Sequence, residues 1–332
     1  MKKARIIIPY FGKLPSWFQL FLNSCYSEVL DFLLYTDDKS KYEYPENFEV
    51  KYLDFENFKD FFRNLEEGYY LDHPYKLCDY RPIYGKLFSK DLVNYDYWGF
   101  CDIDIIFGDI DKYIKPYVNE GFDKLFRYGH FSLFKNNIKI NNLYLDRSIN
   151  YNIEFVGRTT IPCHFDEVYF NEILERNGAN FIPDPHNAPF HCVNINFRNL
   201  AVGDGQPKKP QLIIWDNGKI YIATLENNSV SLKEFFYIHF MRRNLKVEKV
   251  TSKFVLTVEG IKPFQDESDL YSLFDEFGLN NLDKDQSIYK RKFLREKIIR
   301  KKNVFFREFK NYRFWAFYNF LFHYFLHKKW KY

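Results

Sequence analysis

Short apolar runs alternate with amphipathic stretches over the first third of the chain. Residues 4–8 (ARIII) read as a fully buried strand, and residues 31–35 (DFLLY) and 48–53 predict two more. Helical periodicity lies between the first two strands, at 15–29, and after the third, at 55–67. Strand, helix and strand at this spacing predict an α/β sheet with right-handed crossovers.

Later segments add further helices and strands. Residues 82–92 predict a helix, and residues 97–107 predict a buried strand. Asp166 is a favourable N-cap residue for the apolar stripe that follows it, and Gly178 ends that stripe. Residues 211–224 (QLIIWDNGKIYIAT) predict a hairpin with a tight Asp-Asn-Gly turn.

The predicted strand 97–107 carries two acids, Asp102 and Asp104, among apolar neighbours. Buried carboxylates are costly unless something pairs with them, and residues two apart point to the same face of a strand. Both carboxylates can therefore reach one hard cation, which in turn can hold a diphosphate. The alternative is two acids at a strand end that are solvated or paired with lysine or arginine.

Two predicted strands end in loops that could line a nucleotide pocket. Ligands of open α/β sheets bind at the carboxyl ends of the strands. Pro9, Tyr10 and Phe11 follow the first strand, and Asp37 follows the second. An aromatic ring there can stack on a base, and an acid can accept a hydrogen bond from a ribose hydroxyl. The alternative is two ordinary loops between a strand and a helix.

Basic residues and a histidine lie on either side of the acid-bearing strand in the sequence. Lys76, Arg81 and Lys86 precede it and can bind phosphate or sugar hydroxyls, although a solvated charged loop is the alternative. His239 lies in an apolar run and is followed by Arg242. The imidazole can complete a metal shell, or the cluster can hold a diphosphate. The alternative is a histidine satisfied within the core.

Asp166 and Glu167 open the predicted helix that follows the acid-bearing strand. A carboxylate at this position can act as a general base for an acceptor hydroxyl. The alternative is helix capping by Asp166 together with a favourable interaction between Glu167 and the helix dipole.

Charge is distributed unevenly along the 332 residues. The formal net charge is +4, but residues 290–332 hold 14 Lys and Arg against 2 Asp and Glu, so the body of the chain is mildly acidic. The basic segment is interleaved with aromatic residues. This pattern predicts helices that bind an anionic membrane surface, or that pack on the domain or on another subunit. Because the body is acidic, we expect no nucleic-acid partner.

Cysteine usage and the N-terminus bear on location. The five cysteines are widely spaced and form no C-x-x-C pair, which indicates free thiols in a reducing compartment. The apolar run before Pro9 is too short for a signal peptide, and no run is long enough for a spanning helix. We therefore expect a cytoplasmic protein that is peripheral on the inner face of the cytoplasmic membrane.

Six segments, in this order, resemble bacterial GT-A type glycosyltransferases of capsule and lipopolysaccharide biosynthesis clusters. They span residues 4–245 and read IIIPYFGKLPSWF, FLLYTDD, PYKLCDYRPIYGKLF, DYWGFCDIDIIFGDI, DEVYF and YIHFMRR. The resemblance implies an α/β fold of the GT-A (nucleotide-diphospho-sugar transferase) type over residues 1–285, with helices flanking a mixed central sheet. Residues 286–332 would form a basic, aromatic helical extension.

The resemblance also implies an activity and roles for single residues. The activity is metal-dependent transfer of a sugar from a nucleotide sugar, expected to be a UDP-sugar, to a hydroxyl of a glycan or lipid-linked acceptor. Asp102 and Asp104 would bind Mn²⁺ or Mg²⁺ and the diphosphate, with His239 as a further ligand. Pro9, Tyr10, Phe11 and Asp37 would line a nucleoside pocket. Lys76, Asp79, Lys86 and Arg242 would contact the phosphate or sugar of the donor. Asp166 or Glu167 would be the base of an inverting reaction.

Two other functions share parts of this pattern. A sugar-phosphate nucleotidyltransferase has the same fold and metal chemistry, but it usually needs a Gly-rich N-terminal loop, which this sequence lacks. A non-catalytic carbohydrate-binding or assembly protein at the membrane would carry a degenerate site. Pyrophosphate release would mark the first of these, and failure to hydrolyse a donor with manganese would mark the second.

Overall fold

The computed structural model describes most of the first 277 residues. The described residues are 4–65, 68–127, 129–160, 162–182, 190–191, 211–240, 245, 247, 250–257 and 260–277. The chain divides into two units at residue 282, and every described residue lies in the first. The predicted helical tail, 286–332, therefore lies outside the described residues.

A mixed sheet of six strands organises the first unit. Its strands are β1 (Ala4–Pro9), β2 (Leu30–Thr36), β3 (Phe48–Tyr52), β4 (Tyr97–Cys101), β6 (Lys124–Leu125) and β7 (Phe131–Lys135). They lie in the order β3-β2-β1-β4-β7-β6. The first four are parallel, and β7 pairs antiparallel with both β4 and β6. The first three strands confirm the strands predicted from the apolar runs.

Two smaller sheets contain the remaining strands of the described residues. One contains β5 (Ile105–Phe107), β12 (Tyr237–His239) and β8 (Phe190–His191), in the order β5-β12-β8. The other is antiparallel and contains β9 (Gln211–Asp216), β10 (Lys219–Glu226), β11 (Ser229–Phe235), β13 (Lys253–Leu256) and β14 (Ile261–Pro263). The predicted hairpin is confirmed in β9 and β10. Asn217 and Gly218 at its turn have φ angles of 47° and 82°, as a tight Asn-Gly turn requires.

The helices are short and lie mostly between the strands. They are α1 (Phe18–Asn23), α2 (Phe55–Arg63), α3 (Tyr84–Leu87), α4 (Ile110–Glu120), α5 (Ile138–Asn142), α6 (Ile153–Gly157), α7 (Phe170–Arg176) and α8 (Glu267–Phe277). Within the described residues, none is both long enough and apolar enough to cross a membrane.

Three of these helices are shorter than predicted. α1 ends before Ser24, whose hydroxyl donates back to the carbonyl of Phe21 at 2.7 Å and so competes with the helical pattern. α2 ends at Arg63 rather than at 67. The segment 82–92 contains α3 but alternates between 3-10 and α geometry, beginning with a 3-10 turn that holds Pro82.

The prediction of one continuous strand over 97–107 is wrong, and the break falls at the two acids. β4 ends at Cys101 and β5 begins at Ile105, in a different sheet. Asp102 still donates its N–H to the carbonyl of His130 at 2.8 Å, and the chain then leaves the six-stranded sheet. Carboxylates inside an apolar strand would be costly. In the break, Asp102 and Asp104 reach polar partners instead.

The strand order places a switch point at the carboxyl ends of β1 and β4 in the main sheet. From β1 the chain adds β2 and β3 on one side and then returns to place β4 on the other. The loops that leave β1 and β4 therefore diverge, and open α/β sheets bind their ligands at such a switch point. Tyr10 and Asp102 are the first residues beyond these two strands.

The main sheet is buried on both faces. Ile6 and Ile8 of β1 lie in one hydrophobic cluster, and Ile7 lies in a second. Alternate side chains of a strand point to opposite faces, so the two clusters cover the two faces. This burial explains why β1 is an almost unbroken apolar run.

Candidate metal centre

Asp102, Asp104 and His239 converge where the main sheet gives way to the three-stranded sheet. Nε2 of His239 lies 3.1 Å from Oδ1 of Asp104 and 3.6 Å from Oδ2 of Asp102. One ligand atom from each residue lies within 4.8 Å of the other two. The structure thus brings together the three residues that the sequence assigned to a metal.

Backbone pairing fixes the positions of these three residues. β12 pairs antiparallel with β5, and His239 is in register with Ile105. The N–H of Phe240 donates to the carbonyl of Asp104 at 3.0 Å. The same ladder therefore holds the histidine beside Asp104, although 135 residues separate them in the sequence.

The donor set fits a hard divalent cation. Two carboxylates offer oxygen ligands, and a neutral imidazole offers one nitrogen ligand. Burial lowers the pKa of His239, but the negative charges of Asp104 and Asp102 outweigh burial and raise that pKa above its ordinary value. The same negative field favours the binding of a cation at this point.

Arg81 supplies positive charge at the other oxygen of Asp102. Its guanidinium donates to Oδ1 of Asp102, to the carbonyl of Gly129, and to Oδ2 of Asp166 at 3.0 Å. Its central carbon lies 4.8 Å from the centre of the Phe100 ring. The sequence marked Arg81 as one of three cations ahead of the acids. The structure makes it a bridge between two carboxylates of the site.

The sequence context of Asp166 predicted a helix N-cap, but in the structure Asp166 does not cap a helix. It lies in a π-helical turn, Phe165–Tyr169, that leads into α7, and its carboxylate accepts from Arg81. Burial raises the pKa of Asp166 to about 7, although the charge of Arg81 acts in the opposite direction. π-helical turns are rare in proteins, and those that occur often lie at functional sites. Apolar periodicity does not reveal one, because the turn and α7 read as a single helix.

Glu167 lies nearer to solvent than Asp166 and still borders the centre. Its side chain is 33% exposed, against 4% for Asp166. It packs so closely on Gly129 that a β-carbon at Gly129 would overlap it. Its charge also contributes to the raised pKa of His239. His164 is a further neighbour of Glu167, with its Nδ1 lying 3.6 Å from Oε2 of Glu167.

Sequence reasoning missed His130. This residue lies just before β7, is 3% exposed, and its ring stacks on that of His239 with the two centroids 4.5 Å apart. A single histidine ahead of an apolar strand carries no signal for this role. The contact arises from two segments that are distant in the sequence.

Tyr10 and Asp37, predicted to line a nucleoside pocket, lie at the expected edge of the sheet. Burial raises the pKa of the Tyr10 hydroxyl, and the charges of Asp104 and Asp38 add to this effect. Tyr10 is therefore within electrostatic reach of the metal centre. Asp37 is exposed and accepts the N–H of Gly12 at 2.7 Å, which ties the loop after β1 to the loop after β2.

Phe11 and Pro9 have different surroundings from Tyr10. Phe11 is 8% exposed, and its ring packs against Phe55 and Phe58 at centroid distances of 5.2 and 5.0 Å. The core thus encloses the Phe11 ring, and the interpretation of Phe11 as a base-stacking residue stays a prediction. Pro9 is the partly buried last residue of β1.

Lys76 and Asp79 form a buried ion pair with each other. Both side chains are 1% exposed, and Nζ of Lys76 lies 2.9 Å from Oδ2 of Asp79. Asp79 also accepts the N–H groups of Cys163 and Phe165. The pair anchors the segment that leads into the π-helical turn, and the predicted contact of both residues with a donor stays a prediction. Lys86 is exposed on α3.

Arg242, which the sequence predicted to bind the donor, lies outside the described residues. The prediction made for it stays a prediction.

Comparison with protein families gives one match, over residues 6–265, to a model described as a family of unknown function (DUF6625). The chain belongs to this family. The matched region contains Asp102, Asp104 and His239, so the candidate metal centre lies inside the family's domain. A comparison with curated proteins gives no match.

Among solved structures, the chain is similar to the one titled "Crystal Structure of A197 from STIV". The identity is 14% and the TM-score is 0.27, over 54% of this chain and 80% of that chain. A likeness this weak carries no argument about fold or function.

Lys76→Met should lower the free energy of unfolding by about 3–5 kcal/mol, because it leaves a buried carboxylate at Asp79 without its cation. Chemical denaturation of the metal-free protein measures this loss. The double variant Lys76→Met/Asp79→Asn carries no buried charge at the pair and should regain part of it. A Lys76→Met protein as stable as the wild type would contradict the anchoring role and would reopen a ligand contact.

Glu167→Gln should lower the pKa of His164, since the neighbouring Glu167 carboxylate has the largest effect that raises it. An NMR titration of the His164 ring signals measures the change. Glu172→Gln removes an exposed acid of α7 that pairs with Arg176, and this control should leave the pKa unchanged.

The same interaction predicts a pH dependence of stability. A histidine whose pKa is raised on folding stabilises the folded state fully below its unfolded pKa of about 6.5 and loses that effect as the pH rises through its folded pKa. Glu167→Gln should therefore destabilise the protein more at about pH 5.5 than at about pH 8.5. An equal loss at both pH values would show that the pair does not interact through charge.

Proposed function

We propose that this protein is a metal-dependent GT-A type glycosyltransferase that moves a sugar from a nucleotide-sugar donor to a hydroxyl of a glycan or lipid-linked acceptor. One observation carries the proposal: two aspartates and a histidine converge at the switch point of an open α/β sheet. Such sheets bind their ligands at that position. The donor set suits a hard cation such as Mn²⁺ or Mg²⁺.

Transfer from a nucleotide sugar requires charge to be neutralised. Breaking the bond between the anomeric carbon and the diphosphate leaves negative charge on the departing oxygen. A divalent cation bound by Asp102, Asp104 and His239 would supply a Lewis acid that offsets this charge. The protein holds these ligands in place beforehand, through the backbone bonds that His130 and Phe240 make to the two aspartates.

The positions of Tyr10, Asp37 and Asp102 support a nucleotide-sugar donor that lies along the carboxyl ends of the strands. Tyr10 and Asp37 follow the parallel strands β1 and β2, at the edge where Asp102 follows β4. A nucleoside bound at the first two residues would place its diphosphate near the acids.

We assign the general-base role in an inverting reaction to Glu167 rather than to Asp166. Asp166 is enclosed and bound by Arg81, whereas Glu167 reaches solvent and borders the centre. In this step the acceptor oxygen bonds to the anomeric carbon, its proton moves to the Glu167 carboxylate, and the electron pair of the broken bond leaves with the diphosphate.

Asp104→Ala should abolish binding of Mn²⁺. We expect the affinity to fall by more than about 100-fold, since the loss of outer partners of a metal site alone costs about 10–100-fold. Isothermal titration calorimetry of the full chain measures this, and thermal unfolding without metal checks that the fold is intact. Asp60→Ala is the matched control, because Asp60 is an exposed acid of α2 that pairs with Arg63.

Turnover tests the activity itself. With Mn²⁺ and a panel of nucleotide sugars, the wild type and Asp60→Ala should release nucleoside diphosphate, and Asp104→Ala should not. An active, metal-dependent Asp104→Ala enzyme would refute the assignment. Pyrophosphate release from a nucleoside triphosphate and a sugar phosphate would indicate a nucleotidyltransferase. Sugar binding without turnover would indicate a carbohydrate-binding protein.

For the tail we propose that residues 290–332 bind an anionic membrane surface. Their excess of Lys and Arg and their aromatic residues supply the required charge and apolar area. This placement would bring the enzyme to a lipid-linked acceptor on the inner face of the cytoplasmic membrane. Full-length protein should float with anionic liposomes, and a variant limited to residues 1–289 should not. Equal flotation would refute the membrane role.

A further inference from the structure

His130 touches two of the three candidate metal ligands in different ways. Its carbonyl accepts the N–H of Asp102 at 2.8 Å. Its ring stacks on the ring of His239, with centroids 4.5 Å apart and planes only 9° from parallel. Both histidines are buried, at 3% and 8% exposure. A single residue therefore connects the loop that carries the aspartates to the strand that carries the histidine.

The backbone of His130 is rigidly placed. The next residue, Phe131, begins β7 and is in register with Cys101 at the end of β4. The hydrogen bond from the N–H of Asp102 to the carbonyl of His130 continues this ladder by one step. The carbonyl of Gly129, one residue earlier, accepts from Arg81. The His130 ring therefore projects from a fixed point rather than from a freely moving loop.

The ring of His130 lies against one face of β12. Tyr237 and His239 are two apart on that strand and so point to the same side. The His130 ring meets Tyr237 edge-on at 5.5 Å and His239 face-on at 4.5 Å. A flat ring held in this way restricts the plane of the His239 ring. That plane determines whether Nε2 points toward the carboxylates of Asp102 and Asp104.

We propose that His130 is a positioning residue of the metal centre, and that its flat ring sets the plane of the His239 imidazole and thereby the affinity for a divalent cation. The inference deepens the proposed function, because it rests on the metal centre assigned above. The proposed role depends on the flat shape of the His130 ring. The competing interpretation is that His130 only fills space in the core beside Tyr237.

Two substitutions of His130 distinguish an effect of the ring's flat shape from an effect of the volume it fills. His130→Phe keeps a flat ring at the same position, whereas His130→Leu fills a similar volume without a flat face. Phe134→Leu is the matched control, because Phe134 is a fully buried ring of β7 that stacks on Trp98 and touches none of the three ligands in the described contacts. Each substitution is made in the full-length protein.

Titration with Mn²⁺ alone, followed by electron paramagnetic resonance, measures the affinity of each variant. Thermal unfolding without metal gives the stability. His130→Leu should weaken Mn²⁺ binding by about 10-fold or more, the range in which outer partners of metal ligands act. His130→Phe and Phe134→Leu should stay within about 3-fold of the wild type, well below that range, whatever their unfolding temperatures.

Three results would overturn the inference. An unchanged affinity in His130→Leu would show that the stack does not position His239, and it would leave the metal centre itself standing. Affinity in His130→Phe as weak as in His130→Leu would show that the polar atoms of the ring matter instead of its shape. This comparison remains decisive if His130→Leu fails to fold, since a large loss in His130→Phe alone contradicts the proposal. A wild-type protein that binds no Mn²⁺ would remove the centre and the inference together.

Discussion

Repulsion between two neighbouring carboxylates is the constraint on which the rest of this site depends. Asp102 and Asp104 each bring a ligand atom to within 4.8 Å of the other in a partly buried setting. Two like charges at that separation repel by on the order of 3 kcal/mol at an effective dielectric constant of about 20. Arg81 offsets charge at one oxygen of Asp102, and His239 faces the other. A divalent cation would offset the remainder.

The same constraint shapes the backbone around the site. An apolar strand that continued through Asp102 and Asp104 would bury both charges, and the chain instead leaves one sheet and enters another between Cys101 and Ile105. The break falls at the carboxyl end of β4, beside the switch point of the main sheet. A local cost of burying charge thus coincides with the place where open α/β sheets bind their ligands.

Sequence patterns predicted the parts of the site that depend on residue type within an apolar setting. Asp102 and Asp104 are conspicuous there, and the structure places them together as expected. Lys76 pairs with Asp79, and a cation that pairs with a neighbouring acid has the same sequence pattern as one that binds a ligand. Phe11 packs on Phe55 and Phe58, and an aromatic residue after a strand fits either a core or a pocket. His130 depends on a contact between distant segments, which no local pattern contains.

A crystal of the protein grown with Mn²⁺ and a nucleoside diphosphate, examined at a wavelength where manganese scatters anomalously, would locate the metal directly. We expect one strong anomalous peak in contact with carboxylate oxygens of Asp102 and Asp104 and with Nε2 of His239. The diphosphate should lie on the same ion. A manganese peak bound by other residues, or a nucleotide bound with no metal at these three, would contradict it.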